Sequence, residues 1–124
     1  MTVAPQLIFN TPGWDDQLLA DIGDQTVSIE NSVAISGNTL YFTNSGGLVQ
    51  GWDIAGLKDG VTPKRIFRFW TGDDTDASIV IDRQGFLYVA QEVERSSSSN
   101  RLSEVGQLIK LDPRKPDDPL VWSV

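Results

Sequence analysis

Ser32-Val33-Ala34-Ile35, the turn cluster Ser36-Gly37-Asn38, Thr39-Leu40-Tyr41-Phe42, Asn44-Ser45-Gly46-Gly47 and Leu48-Val49-Gln50-Gly51-Trp52-Asp53-Ile54 follow one another without a helical interval. Short β-branched and aromatic runs bounded by Gly, Asn and Ser are the signature of strands joined by tight turns. A Gly- and Lys-containing loop to Pro63 leads into Arg65-Ile66-Phe67-Arg68-Phe69-Trp70. By strict alternation Phe67 and Phe69 share one face, with Ile66, Arg68 and Trp70 on the other. This stretch decides the fold class. It reads as four antiparallel strands in a row.

The pattern then returns. Ser78-Ile79-Val80-Ile81, the turn Asp82-Arg83-Gln84-Gly85 and Phe86-Leu87-Tyr88-Val89-Ala90 repeat the first hairpin 46 to 47 residues later. Gly106-Gln107-Leu108-Ile109-Lys110-Leu111-Asp112 matches Gly47 to Asp53 at an offset of 59, and Leu120-Val121-Trp122 matches Arg68-Phe69-Trp70 at 52. The offsets differ because the second unit carries an insertion, Glu92 to Val105, and a shorter third connection. Trp14, Trp70 and Trp122 form a ladder at similar spacing. A period near 50 residues with four short strands per period predicts blades of a β-propeller. A single β-sandwich is the competing architecture.

The expected fold is therefore all-β: two four-stranded antiparallel blades of a partial, open β-propeller, behind a short irregular or helical leader. The leader takes residues 1–29, the first blade 30–75 and the second 76–124. Within the leader, Asp15-Asp16-Gln17-Leu18-Leu19-Ala20 has a helical start, with acidic residues suited to the helix dipole, and Ile22-Gly23-Asp24 stops it. Gln6-Leu7-Ile8-Phe9, ahead of Trp14, is a candidate closing strand of a preceding blade. Trp70 and Trp122, each closing a strand, are expected to wedge between neighbouring blades.

Composition narrows the chemistry. The chain has 124 residues, 40% hydrophobic and 22% charged, with a net charge of −7. That acidity argues against nucleic acid as a partner, since phosphates supply no counter-charge. No stretch approaches the ~20 apolar residues that span a bilayer. Met1 to Asn10 lacks the basic and apolar regions of an export signal. Cys and His are both absent. Thiol nucleophiles, zinc-thiolate sites, imidazole ligands and Ser-His units are thereby excluded from this chain.

The repeated residues resemble the pyrroloquinoline-quinone-like (PQQ-like) propeller repeat. Its hairpin, Gly-rich turn, strand ending in Asp and closing strand ending in Trp read here as Thr39-Leu40-Tyr41-Phe42, Gly46-Gly47-Leu48, Gly51-Trp52-Asp53 and Phe69-Trp70. They recur as Phe86-Leu87-Tyr88-Val89, Gly106-Gln107-Leu108, Lys110-Leu111-Asp112-Pro113 and Val121-Trp122. The resemblance implies seven or eight blades in a complete ring, so further blades are expected as partners, from a longer parent chain or by self-association. It implies PQQ and Ca²⁺ for the enzymes of a full-length parent, and a periplasmic or extracellular setting. No stretch here matches their cofactor motif, so no catalytic residue and no cofactor are assigned to this chain. Non-enzymatic members use the same fold for protein contact. Scaffold or protein-interaction module is the leading expectation; a fragment of a quinone- or metal-dependent dehydrogenase and a carbohydrate or cell-surface binder are the alternatives.

Few residues stand out as sites. Asp73, Asp74 and Asp76 place three carboxylates in one loop, a donor set that could hold Ca²⁺ but lacks the Gly and terminal Glu of an EF-hand loop, so it reads first as a solvated turn. Trp52 lies off the Trp ladder and is the candidate functional aromatic. Glu92, Glu94 and Arg95 open the polar insertion, where propellers place binding residues. Lys64 to Trp70 mixes basic and aromatic residues but reads as a structural strand. Lys110 to Pro119, rich in proline, reads as a rigid connection.

Overall fold

A computed structural model describes residues 4–23, 26–94 and 101–124. The chain is all-β in its main body, with two four-stranded antiparallel sheets in simple sequential order. The first contains β1 (Ala34–Ser36), β2 (Thr39–Phe42), β3 (Leu48–Asp53) and β4 (Lys64–Trp70). The second contains β5 (Val80–Ile81), β6 (Leu87–Ala90), β7 (Leu108–Leu111) and β8 (Leu120–Ser123). Helix α1 (Asp16–Ile22) precedes them, and a single helical turn, α2 (Leu102–Val105), precedes β7.

Local chemistry explains the boundaries. Asp15 caps α1 by accepting from Leu18 N–H at 2.8 Å, and Gly23 ends it in the left-handed conformation with its N–H on the Leu19 carbonyl. That is the usual pairing of an acidic cap with a C-terminal glycine. Asp53 ends the third strand of the first sheet, and Asp112 directly follows the third strand of the second. Each carboxylate accepts from the backbone N–H two residues on, Ala55 at 2.9 Å and Arg114 at 3.0 Å. The Asp of the repeated motif thus turns the chain out of the sheet.

The sheets are copies in register, not merely in strand count. Tyr41 pairs with Gly51 as Tyr88 pairs with Lys110, and Leu40 with Trp52 as Leu87 with Leu111. A β-bulge interrupts the next ladder at the same position in both, between Gly51 and Trp52 and between Lys110 and Leu111. Each bulge leaves one residue unpaired, Ile66 in β4 and Val121 in β8. The ladder therefore makes Phe67, opposite Gly51, the counterpart of Trp122, opposite Lys110.

This corrects the Trp ladder. Trp70 pairs with Leu48, three residues beyond the position of Trp122, and neither ring sits between the sheets. Trp70 packs on Leu18, Ile22 and Leu48 beside the leader helix, while Trp122 lies against Tyr88 at a ring-centroid distance of 6.2 Å. The inter-sheet aromatics are Tyr41, Phe67 and Phe69. They meet Leu87, Val89, Ile109 and Leu111 of the second sheet, with Ile79 just ahead of β5 and Val105 from α2, in one buried core. The candidate strand Gln6–Phe9 joins neither sheet.

The packing has a direction. The face of the first sheet that meets the second carries Tyr41, Val49 and Phe67. By the register above, their counterparts Tyr88, Leu108 and Trp122 lie on the face of the second sheet turned away from the first. The sheets stack front to back, each presenting the same face in the same direction. Gly51 is required at this contact: a Cβ there would come within 2.7 Å of the Tyr41 ring, which packs edge-on against Phe67 at 6.4 Å.

Candidate functional site

Three places gather polar or apolar side chains that the core does not consume. The first is the contact between leader and first sheet. Residues 6–15 and α1 lie across the back of that sheet, on the side away from the second. Asp15 accepts from Arg65 Nη1 at 2.9 Å and from Arg68 Nε at 2.7 Å and Nη2 at 3.1 Å. Two arginines three apart on a regular strand would point to opposite faces; the bulge at Ile66 brings both to one carboxylate. The hydrogen bond from Arg68, then that from Leu18 N–H and that from Arg65, hold Asp15 far below the usual carboxylate range against the opposing effect of burial. Gln50 Nε2 and Asn44 Nδ2 both donate to the Gly13 carbonyl, at 3.1 and 2.6 Å.

Beside this latch is an apolar cleft of about 410 Å³, lined by Phe9, Ile29, Leu40, Phe42, Trp52 and Ile54 among others. Trp52, the aromatic singled out from sequence, forms part of its wall. Its Nε1 donates to Gln50 Oε1 at 3.2 Å, and Phe9 packs on its ring at 5.7 Å. Its polar atom is thus used within the protein, and its ring supplies apolar surface. Asn10 and Thr11 bring the only polar side chains among the lining residues.

The third place is the junction between the sheets. Asp73 is buried, and its N–H donates to Gln91 Oε1 at 3.0 Å. Its carboxylate accepts from Asp74 N–H at 2.8 Å and Glu94 N–H at 3.0 Å. Glu92 N–H donates to the Asp74 carbonyl at 2.8 Å. The loop 73–76 and the exit of β6 are thereby laced together. Burial raises Asp74 to about 7, and the charges of Asp76 and Glu94 push the same way. Glu92 is raised as well, chiefly by Asp76 and then by Glu94.

The three carboxylates weighed as a metal loop or a turn have these surroundings. Asp73 serves backbone amides, and Asp74 and Asp76 share a crowded acidic corner with Glu92 and Glu94. Among the described residues no group of three or more acidic side chains is arranged to hold a metal ion. Of the predicted interaction residues, Trp52 and Glu92 line separate clefts with no residue in common. Arg95 lies outside the described residues. Sequence reasoning missed the Asp15–Arg65–Arg68 cluster; the one available signal was an acidic cap ahead of α1 and two arginines flanking Ile66-Phe67.

Lys64 to Trp70 forms β4, as its alternation suggests, and Arg65 and Arg68 are turned to Asp15. No helix among the described residues is long and apolar enough to cross a membrane. No family model matches the chain, and no curated protein matches it.

Proposed function

We propose that the chain is a non-catalytic scaffold or protein-interaction module, a partial PQQ-like β-propeller in which each sheet is one blade. The observation that carries this reading is the front-to-back stacking of two sheets with identical register and a bulge at the same rung. A sandwich needs two sheets facing each other; a propeller needs a stacking step that can be repeated, and this step can. The second support is how the polar side chains are used. Asp15, Asp73 and Asp112 each bind backbone amides, and Asp15 and Asp112 also bind arginine. These are structural ties.

The fragment-of-a-dehydrogenase reading is separated by titrating the chain with pyrroloquinoline quinone and Ca²⁺, following quinone absorbance and dye-linked alcohol oxidation. The scaffold reading expects no saturable spectral change at micromolar quinone and no turnover. Saturable binding in that range overturns it.

A further inference from the structure

The apolar cleft under the leader has a floor and a roof. The floor is the back of the first sheet: Tyr41 faces the second sheet, so by alternation Leu40 and Phe42 face the leader, and Trp52 stands opposite Leu40. The roof comes from residues 8–13, with Phe9 against the Trp52 ring. Close-packed interiors hold few voids larger than a water molecule, and this space is about 410 Å³.

The roof is held off the floor by polar pegs. The Gly13 carbonyl accepts from both Asn44 Nδ2 and Gln50 Nε2, and both side chains are buried. Each amide is engaged at its other end as well. Asn44 Oδ1 accepts from Gly46 and Leu48 N–H at 3.0 Å, and Gln50 Oε1 accepts from Trp52 Nε1. Gln50 thus fixes roof and wall at once. Ile29 presses on Gly13 so closely that a Cβ there would come within 2.6 Å of its Cδ1. The leader is therefore set at a fixed height beside an apolar space.

The lining chemistry defines the occupant. None of the described lining residues is charged, so a charged ligand would lose its hydration and gain no partner. A sugar is no better matched: its hydroxyls would meet Leu40, Phe42 and Ile54, and a Trp52 whose N–H is already taken. Asn10 and Thr11 can serve one hydrogen-bonding group. The volume lies within the roughly 300–1,000 Å³ of pockets that enclose small molecules. A folded partner would reach only the mouth, whereas a small molecule fits between floor and roof.

We infer that this cleft is a binding site for an uncharged, mainly hydrocarbon small molecule with a single hydrogen-bonding group, held between the Leu40–Phe42–Trp52 floor and the leader. The site goes beyond the scaffold reading and does not rest on it.

The test titrates the full chain with N-phenyl-1-naphthylamine, an uncharged aromatic whose fluorescence rises on leaving water. The four Trp indole N–H signals are followed by NMR in parallel. Saturable binding at one site per chain is expected, with Kd on the order of 10–100 μM. The Trp52 indole signal should move while that of Trp122 stays. The anionic analogue 8-anilinonaphthalene-1-sulfonate should bind at least about tenfold more weakly. Leu40→Trp fills the floor, and Val33→Asp places a charge on a lining residue that is 53% exposed. Each should weaken the probe at least about fivefold, and Val33→Asp should leave the unfolding midpoint within about 2 °C of the parent, which keeps the test valid even where Leu40→Trp fails to fold. No saturable binding below about 200 μM, equal or tighter binding of the anion, insensitivity to Val33→Asp, or a response at Trp122 in place of Trp52 overturns the inference. Quinone binding would remove the non-catalytic reading and leave this result standing; failure of the neutral probe would leave the quinone titration unaffected.

Discussion

The two sheets share a register, but one is closed on both faces and the other on one. The first holds its back under Asp15, Phe9 and α1, with polar Gln50, Arg65 and Arg68 at the contact. The second uses the equivalent positions Ile109 and Leu120 against the first sheet. Identical backbone geometry thus serves a polar, latched boundary at one end and an apolar, stackable one at the other. Side chains alone set that difference. The ladder supplies the platform, and the choice of Arg or Leu opposite the bulge decides whether a leader or a sheet lies on it.

The comparison breaks most sharply at Phe67 and Trp122. Phe67→Ala removes a buried inter-sheet ring and should cost about 3–4 kcal/mol by urea unfolding. Trp122→Ala, at the same rung but facing outward, should cost about 1 kcal/mol. Equal costs would mean that the outer face is already covered in solution.

Gly51 and Lys110 form the next pair. Gly51→Ala drives a methyl into the Tyr41 ring and should cost about 2 kcal/mol, whereas Lys110→Ala should change unfolding by less than about 0.5 kcal/mol. A tolerated Gly51→Ala would show that the Tyr41–Phe67 contact adjusts freely.

Asp15→Ala tests the latch. Loss of the helix cap and both arginine contacts should cost about 1–2 kcal/mol, moderated by the partial exposure of all three side chains. Because Asp15 titrates below its ordinary range when folded, its contribution is present above about pH 4 and fades as the pH falls below that. Hydrogen exchange should report the loss first in α1. Faster exchange confined to the second sheet would contradict the assignment.

A modest, pH-dependent effect is expected at the junction. Asp74 is raised when folded, so its protonated form favours the fold and its stabilising effect disappears as pH rises from about 4 through about 7. After screening at this partly exposed position, about 1 kcal/mol separates pH 5 from pH 8. Asp74→Asn should flatten that slope in denaturant midpoints measured across the range. A slope that survives the substitution assigns it elsewhere.

Much of the fold was legible. Turn residues and alternation marked the strands from Leu40 to Trp70 closely, and the acidic start and Gly23 marked α1. The motif Asp at 53 and 112 was visible, and its role as a turn former follows from ordinary Asx chemistry. Hidden from the sequence were the bulges. One unpaired residue leaves no mark on composition or hydropathy, yet it concealed the meeting of Arg65 with Arg68; the pairing register that sets Trp122 opposite Lys110 and Trp70 three residues beyond the equivalent rung was equally unmarked. The acidic run at Asp73 was equally ambiguous, since a carboxylate that ties backbone amides and one that binds an ion are spelled alike. Trp52 was recognised as distinct, but its place under the leader depends on a segment with no strand periodicity.

The single residue that each bulge leaves out of the ladder also makes the strand a phase counter. Deleting Ile66 would leave Arg65 two residues from Arg68, so plain alternation would keep both on the side of Asp15 with their partners in β3 unchanged. The bulge is thus a reserve of one residue. A one-residue deletion at 66 or at 121 is absorbed there, whereas the same deletion in a strand without a bulge exchanges inside for outside along the rest of the strand.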